Sequence, residues 1–120
     1  MSNQGGHEWN LKFSTLETVG FVTVHGSLDA STAAELNEYV STQISTGYPQ
    51  LVIDLSQVEF MSSAGLRAIL VSLKECRREG GDLRLAAAQP GTEKVLKLSG
   101  FLTIIKSYPS VAEALGSFND

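Results

Sequence analysis

Segments in which every second residue is apolar are interleaved along this chain with segments whose apolar residues recur every three to four positions. The first period belongs to a strand with one buried face, the second to a helix with one buried stripe. Trp9, Leu11, Phe13 and Thr15 alternate with polar residues and read as an edge strand. Val19 to His25, VGFVTVH, is β-branched and aromatic and reads as a second strand, reached through a turn at Glu17-Thr18. Gly26-Ser27-Leu28-Asp29 breaks it. A helix is expected from Thr32, with Glu35 at capping-box spacing and Ala33, Leu36, Val40 and Ile44 on one face, ended by Gly47 and Pro49. Leu51 to Leu55, LVIDL, reads as a short strand buried on both faces.

Val58 to Met61 leads into Ser62-Ser63-Ala64-Gly65, where a second helix opens with Leu66, Ile69, Leu70 and Leu73 as its core stripe and Gly80-Gly81 as its stop. Leu83, Leu85 and Ala87 suggest another strand. Pro90 opens a third helix, with Val95 and Leu98 inward and Gly100 just past its end. Ile104-Ile105 reads as a last short strand. Ser110 and Glu113 have capping-box spacing before a final helix carrying Val111, Ala114, Leu115 and Phe118 on one face.

The resulting order is ββαβαβαβα. Strand–helix–strand units cross over right-handedly and give parallel pairing, and the first hairpin adds an antiparallel edge. The expected fold is therefore α/β, a four- to five-stranded mixed sheet with about four helices packed on it. A loose tail over residues 1–7 and a single domain over 8–120 follow, because 120 residues suit one core.

Composition narrows the function. Hydrophobic residues make up 42% and charged ones 18%, as in ordinary globular chains. The net charge of −4 and the scattered lysines and arginines argue against a nucleic-acid surface. A single cysteine, Cys76, rules out a disulfide within the chain and suits a reducing compartment. The polar N-terminus does not resemble a secretory signal, and no apolar run approaches the roughly 20 residues of a membrane span, so a cytoplasmic protein is expected.

Candidate chemistry is sparse. No HxH, HExxH or CxxC spacing suggests a metal, and no glycine-rich loop suggests a nucleotide phosphate, so no cofactor is expected. Asp54 could be a phosphate-accepting aspartate only with an acidic metal pocket and a late lysine, and neither is evident. Cys76 continues the stripe of the second helix and reads as a buried thiol. Ser63 lies on a strand-to-helix turn, where α/β-hydrolases hold their nucleophile. Met61, however, stands where that motif has its first glycine, and neither His7 nor His25 falls late in the chain. An enzyme is not expected. From the residues alone, Ser62-Ser63 reads as the N-cap of a helix.

Four motifs together carry a resemblance. The stretch LVIDLSQVEFMSSAGLRAIL, residues 51–70, resembles the core of STAS domains, in particular the bacterial anti-sigma-factor antagonists, in which an apolar strand and Asp-Leu precede D-S-S/T/A-G-L at a helix start. Gly26-Ser27-Leu28-Asp29 with Thr32-Ala33 resembles the family's G-x-L-D…T-A segment. Gly80 to Leu85 resembles G-G-x-L-x-L, and Leu96 to Phe101 resembles L-x-x-S/T-G-L/F. The resemblance implies a protein that captures an anti-sigma factor, itself a serine kinase, and releases it once its motif serine is phosphorylated. A metal-dependent serine phosphatase resets the switch.

The phosphoacceptor implied is Ser63, with Ser62 as second choice because it replaces the family's aspartate. The implied partner surface combines Gly26, Ser27, Leu28 and Asp29 with Ser62, Ser63, Ala64 and Gly65, since both motifs follow strands. Arg67, four residues after Ser63, is its helical neighbour and joins that set. The alternative is a STAS subunit of another regulatory or lipid-transport complex, with nucleotide binding as a further suggestion from the family.

Overall fold

The computed structural model describes residues 10–13, as backbone, and residues 19–119 in full. Trp9, Thr15, the Glu17-Thr18 turn and the tail over residues 1–7 lie outside the described residues. The strands are β1 (Asn10–Phe13), β2 (Val19–Leu28), β3 (Gln50–Met61), β4 (Asp82–Ala86) and β5 (Ser107–Tyr108). They form one sheet in the order β1-β2-β3-β4-β5. β1 and β2 pair antiparallel, and every later neighbour is parallel. The helices are α1 (Ala33–Ser45), α2 (Ser63–Arg78), α3 (Pro90–Leu98) and α4 (Val111–Gly116). The expected fold class stands.

β3 is the axis of the core. Leu51, Val52, Ile53 and Leu55 are all buried, as a strand covered on both faces requires. Leu51, Ile53 and Leu55 join Leu36 and Val40 of α1, Ile69 and Leu73 of α2 and Leu96 of α3 in the larger apolar cluster. Val52, pointing the other way, packs with Val19, Ala86 and Ala114 under α4.

Several expected details are corrected. β2 does not stop at His25 but runs on through Leu28, and β3 runs on to Met61. The buried stripe of α2 is Ala68, Ile69, Ser72, Leu73 and Cys76, with Leu66 and Leu70 half-buried at its margin. Small residues win because α1 lies against them: Asn37 Nδ2 donates to the Ala68 carbonyl and to Ser72 Oγ, both at 2.8 Å. Ser41 Oγ adds a bond to the Glu75 carboxylate at 2.8 Å.

In α3 the inward residues are Thr92 and Leu96, whereas Leu98 is 78% exposed. Ile104-Ile105 is not a strand; it follows a short 3-10 turn at Phe101–Thr103, and Ile105 reaches the core from a loop. The α4 cap forms at the expected serine, with Glu113 N–H donating to Ser110 Oγ at 3.1 Å. The one expected at Thr32 does not: that hydroxyl turns back toward β2 instead.

Candidate functional site

The site grows out of the part of β3 that outruns β4. β4 accompanies β3 only from Gln50 to Asp54. Beyond that, β2 is its strand partner, through a register that slips twice. Thr23 faces Asp54 and Leu28 faces Met61, so β2 advances five residues while β3 advances seven. Extra residues on one strand break the alternation of faces and bend the strand. Gly26, at φ +86°, sits within this irregular stretch, in a conformation L side chains rarely adopt. The slip explains why Glu59 and Phe60 are both exposed, with Phe60 at 56%, while Val58 and Met61 are buried.

Side chains from α3 support the overhang. The Ser56 carbonyl accepts from Gln89 Nε2 at 2.8 Å, and the Val58 carbonyl is met by Thr92 Oγ1 at 3.5 Å. Both bonds fall where β4 no longer offers a ladder. Sequence reasoning missed Gln89 and Thr92, because bonds across more than thirty residues leave no periodic trace.

At the top of the overhang the β2 turn and the start of α2 are locked together. Ser62 N–H donates to the Leu28 carbonyl at 3.0 Å. Gly65 lies so close to the same carbonyl that a Cβ there would stand 2.2 Å from its oxygen. Below the turn, Thr32 Oγ1 donates to the Ser27 carbonyl at 3.1 Å and accepts from Asp29 N–H at 3.0 Å. The Asp29 carboxylate accepts from Ser31 N–H at 2.9 Å and from Ser31 Oγ at 2.7 Å. The turn therefore holds its shape without a partner.

The two serines differ. Ser62 is the N-cap of α2: its backbone is extended, and its side chain accepts from Gly65 N–H at 3.3 Å. Ser63 is the first helical residue and is exposed. Its hydroxyl has no hydrogen-bond partner among the described residues. Arg67, also exposed, forms no salt bridge among them.

The fold thus brings the expected Gly26–Asp29 segment and the start of α2 together. It corrects two members of the expected surface. Leu28 is fully buried and belongs to the core, and Gly65 is buried against it. Neither presents a side chain at the surface; they set the distance between the two segments. Gly26, Ser27, Asp29, Ser62, Ala64, Ser63 and Arg67 remain at least partly accessible. Phe60, register partner of Ser27, lies at the same edge and was given no role from the sequence, because a register slip between two strands leaves no periodic trace in either.

The remaining candidates have structural surroundings. Asp54 accepts from Thr23 Oγ1 at 3.2 Å and from Ser56 N–H at 2.9 Å. Cys76 is buried, and burial, with Glu75 and Asp82 nearby, pushes its thiol up to about 12. Among the described residues no group of three or more metal-ligating side chains converges, and no helix is long and apolar enough to cross a membrane.

The chain belongs to the STAS domain family, which it matches over residues 10–114. It is 30% identical over 97 residues to the anti-sigma-F factor antagonist RsfB of Mycobacterium tuberculosis, covering 81% of this chain and 79% of RsfB. A crystal structure of an anti-sigma factor antagonist from Mycobacterium paratuberculosis superposes with a TM-score of 0.84 at 28% identity, over the full length of both chains. The unphosphorylated form of the anti-sigma factor antagonist SpoIIAA shares the fold, with a TM-score of 0.77 at 21% identity over 93% of this chain and 96% of that one.

Proposed function

We propose that this protein is an anti-sigma factor antagonist switched by phosphorylation of Ser63. The observation that carries the reading is the division of labour between the two serines. Ser62 already spends its oxygen on Gly65 N–H, while the Ser63 hydroxyl is exposed and has no hydrogen-bond partner among the described residues. A kinase can approach Ser63 without undoing the helix cap. The names of RsfB and of the Mycobacterium paratuberculosis protein support the biological setting.

In this reading the unphosphorylated protein, in the cytoplasm, captures an anti-sigma factor that is also its serine kinase, and the sigma factor is set free. A phosphate on Ser63 ends the capture, and a metal-dependent serine phosphatase restores it. The physics suits such a switch. A phosphoserine carries about −1.5 to −2 charges at neutral pH. At a helix N-terminus it meets the positive end of the dipole, so the fold tolerates it. In a docked interface the same group must be desolvated, which costs several kcal/mol, or about 10³-fold in affinity.

The test immobilises the full chain with Ser63 either unmodified or replaced by phosphoserine during synthesis. Both are offered a cytoplasmic extract of the source bacterium. The expected result is recovery of a histidine-kinase-like ATPase on the unmodified protein and its loss on the phosphoserine form, with melting temperatures within a few degrees. Equal recovery on both would overturn the switch. Recovery of transport subunits alone would favour a different STAS assembly.

A further inference from the structure

We propose that Arg67 is the intramolecular partner of a phosphate on Ser63, so that one modification both adds negative charge to the binding surface and withdraws a cation from it. The inference rests on the reading of Ser63 as the phosphorylated residue and adds how the modification acts.

The geometry follows from α2. Ser63 and Arg67 are both within the helix, four residues apart, so their side chains rise from one face about 5–6 Å apart at Cβ. Long side chains on a helix lean toward its N-terminus, and Arg67 therefore leans toward Ser63 and not away from it. Both residues are exposed, so neither must leave a packed site to meet the other.

Arg67 is also uncommitted. Arg77, on the same helix, donates from Nε to Asp82 at 2.9 Å and from Nη2 to the Ile104 carbonyl at 3.0 Å. Arg84 donates from Nε to Asp82 at 3.0 Å and lies 3.9 Å over the Phe118 ring. Arg67 has no such bond among the described residues, and the first turn of α2 contains no acidic residue to compete for it. The other cations of α2, Lys74, Arg77 and Arg78, sit about two or more turns further on.

Before modification the guanidinium projects from the binding edge and is available to an acidic group on a docking protein. After modification the phosphate one turn back is an anion within its reach. A guanidinium fork matches two phosphate oxygens at once, and such charge-assisted pairs are among the strong hydrogen bonds. The cation is then neutralised at the moment the surface becomes anionic.

The test needs no partner protein. The full chain is made with phosphoserine at position 63 in three backgrounds: wild type, Arg67→Gln and Lys74→Gln. Phosphorus NMR follows the second ionisation of the phosphate, whose ordinary midpoint is about pH 6. A paired guanidinium favours the dianion, so wild type should bind the last proton about twofold more weakly than Arg67→Gln, or more. Lys74→Gln should match wild type, and 1 M salt should shrink the Arg67 effect. Glu59, on β3, and Asp29, just past the end of β2, are present in every background, so the comparison isolates Arg67.

Identical midpoints in wild type and Arg67→Gln would overturn the pairing. An equal change in Lys74→Gln would overturn it too, because the effect would then be a general field. The two proposals fail separately. A pairing seen here with unchanged capture by the phosphoserine form would sink the switch alone, and the reverse would sink the pairing alone.

Discussion

Residues 50–54 of β3 have a parallel neighbour on each side; residues 55–61 have β2 on one side and, on the other, side chains from the start of α3. The first stretch is regular and supplies the core. The second is irregular and supplies the proposed binding edge. Regular pairing fixes which face each side chain takes, so a misplaced polar group is costly there. Where the ladder ends, two register slips let Glu59 and Phe60 face solvent and deliver Ser62 to the Leu28 carbonyl. Core and site are thus consecutive parts of one strand, separated by the point where β4 stops.

The largest expected difference between the stretches is in stability. Ile53→Ala, in the paired stretch, removes a fully buried side chain and should cost about 2–5 kcal/mol. Phe60→Ala, in the overhang, removes a larger side chain that is 56% exposed and should stay within about 1 kcal/mol. Urea titrations of both variants check this. A Phe60 loss as large as the Ile53 loss would make the overhang part of the core.

Next in size is the contact that ties the overhang to its helix. A methyl group at Gly65 would stand 2.2 Å from the Leu28 oxygen, and backbone cannot yield as a flexible side chain does. Gly65→Ala should cost about 1–3 kcal/mol and weaken capture as well, because the turn and the helix start must move apart. Ala64→Gly, at the half-exposed neighbour, serves as the stability control for helix propensity, with an expected cost of about 1 kcal/mol. Unchanged capture by a folded Gly65→Ala protein would show that the spacing does not matter.

How much of this was legible depended on the stretch. The core was readable because LVIDL is apolar at nearly every position, which suits a strand covered on both faces. The element order was readable because the period changes at each boundary. The overhang was not. Its slips are a property of two strands together, so nothing in the sequence singled out Phe60, and a glycine-containing break was expected where β2 in fact continues to Leu28. The motif did pick out Gly26–Asp29 and Ser62–Gly65, which the fold brings together, but it could not separate the accessible residues from Leu28 and Gly65, which are buried and hold the others in place. Leu98 and Leu70 were overrated for the reason that Thr92, Ala68 and Ser72 were overlooked: size is visible in a sequence, and a buried hydrogen bond is not.

A smaller effect separates the two serines. Ser62→Ala removes the cap and should cost about 1 kcal/mol. Ser63→Ala removes an unbonded exposed hydroxyl and should stay within about 0.5 kcal/mol. Phosphate labelling by the cognate kinase should persist in the first and vanish in the second. Labelling that survives in Ser63→Ala and is lost in Ser62→Ala would exchange the two roles.

The smallest expected effect lies at the other end of the regular stretch, where Asp82 opens β4. Partial burial pushes its carboxyl up, but hydrogen bonds from Arg84 and Arg77 outweigh this and hold it below the ordinary carboxylate range. A carboxyl depressed in the folded state stabilises at pH values above its unfolded midpoint, and that stability is lost as pH falls through the folded one. Asp82 should therefore add stability at neutral pH that fades below about pH 4, where an unfolded aspartate takes up its proton. Arg77 is half exposed, so the contribution is modest, about 1 kcal/mol or less. Urea titrations of wild type and Asp82→Asn at pH 7 and pH 3 measure it. The gap between the two proteins should narrow at the lower pH, with capture at neutral pH the same for both. A gap that does not narrow would assign the defect of the Asp82→Asn variant to packing and not to charge. Lost capture would mean that this end of α2 is coupled to its start, and that the boundary between core and binding edge is less sharp than the strand pairing implies.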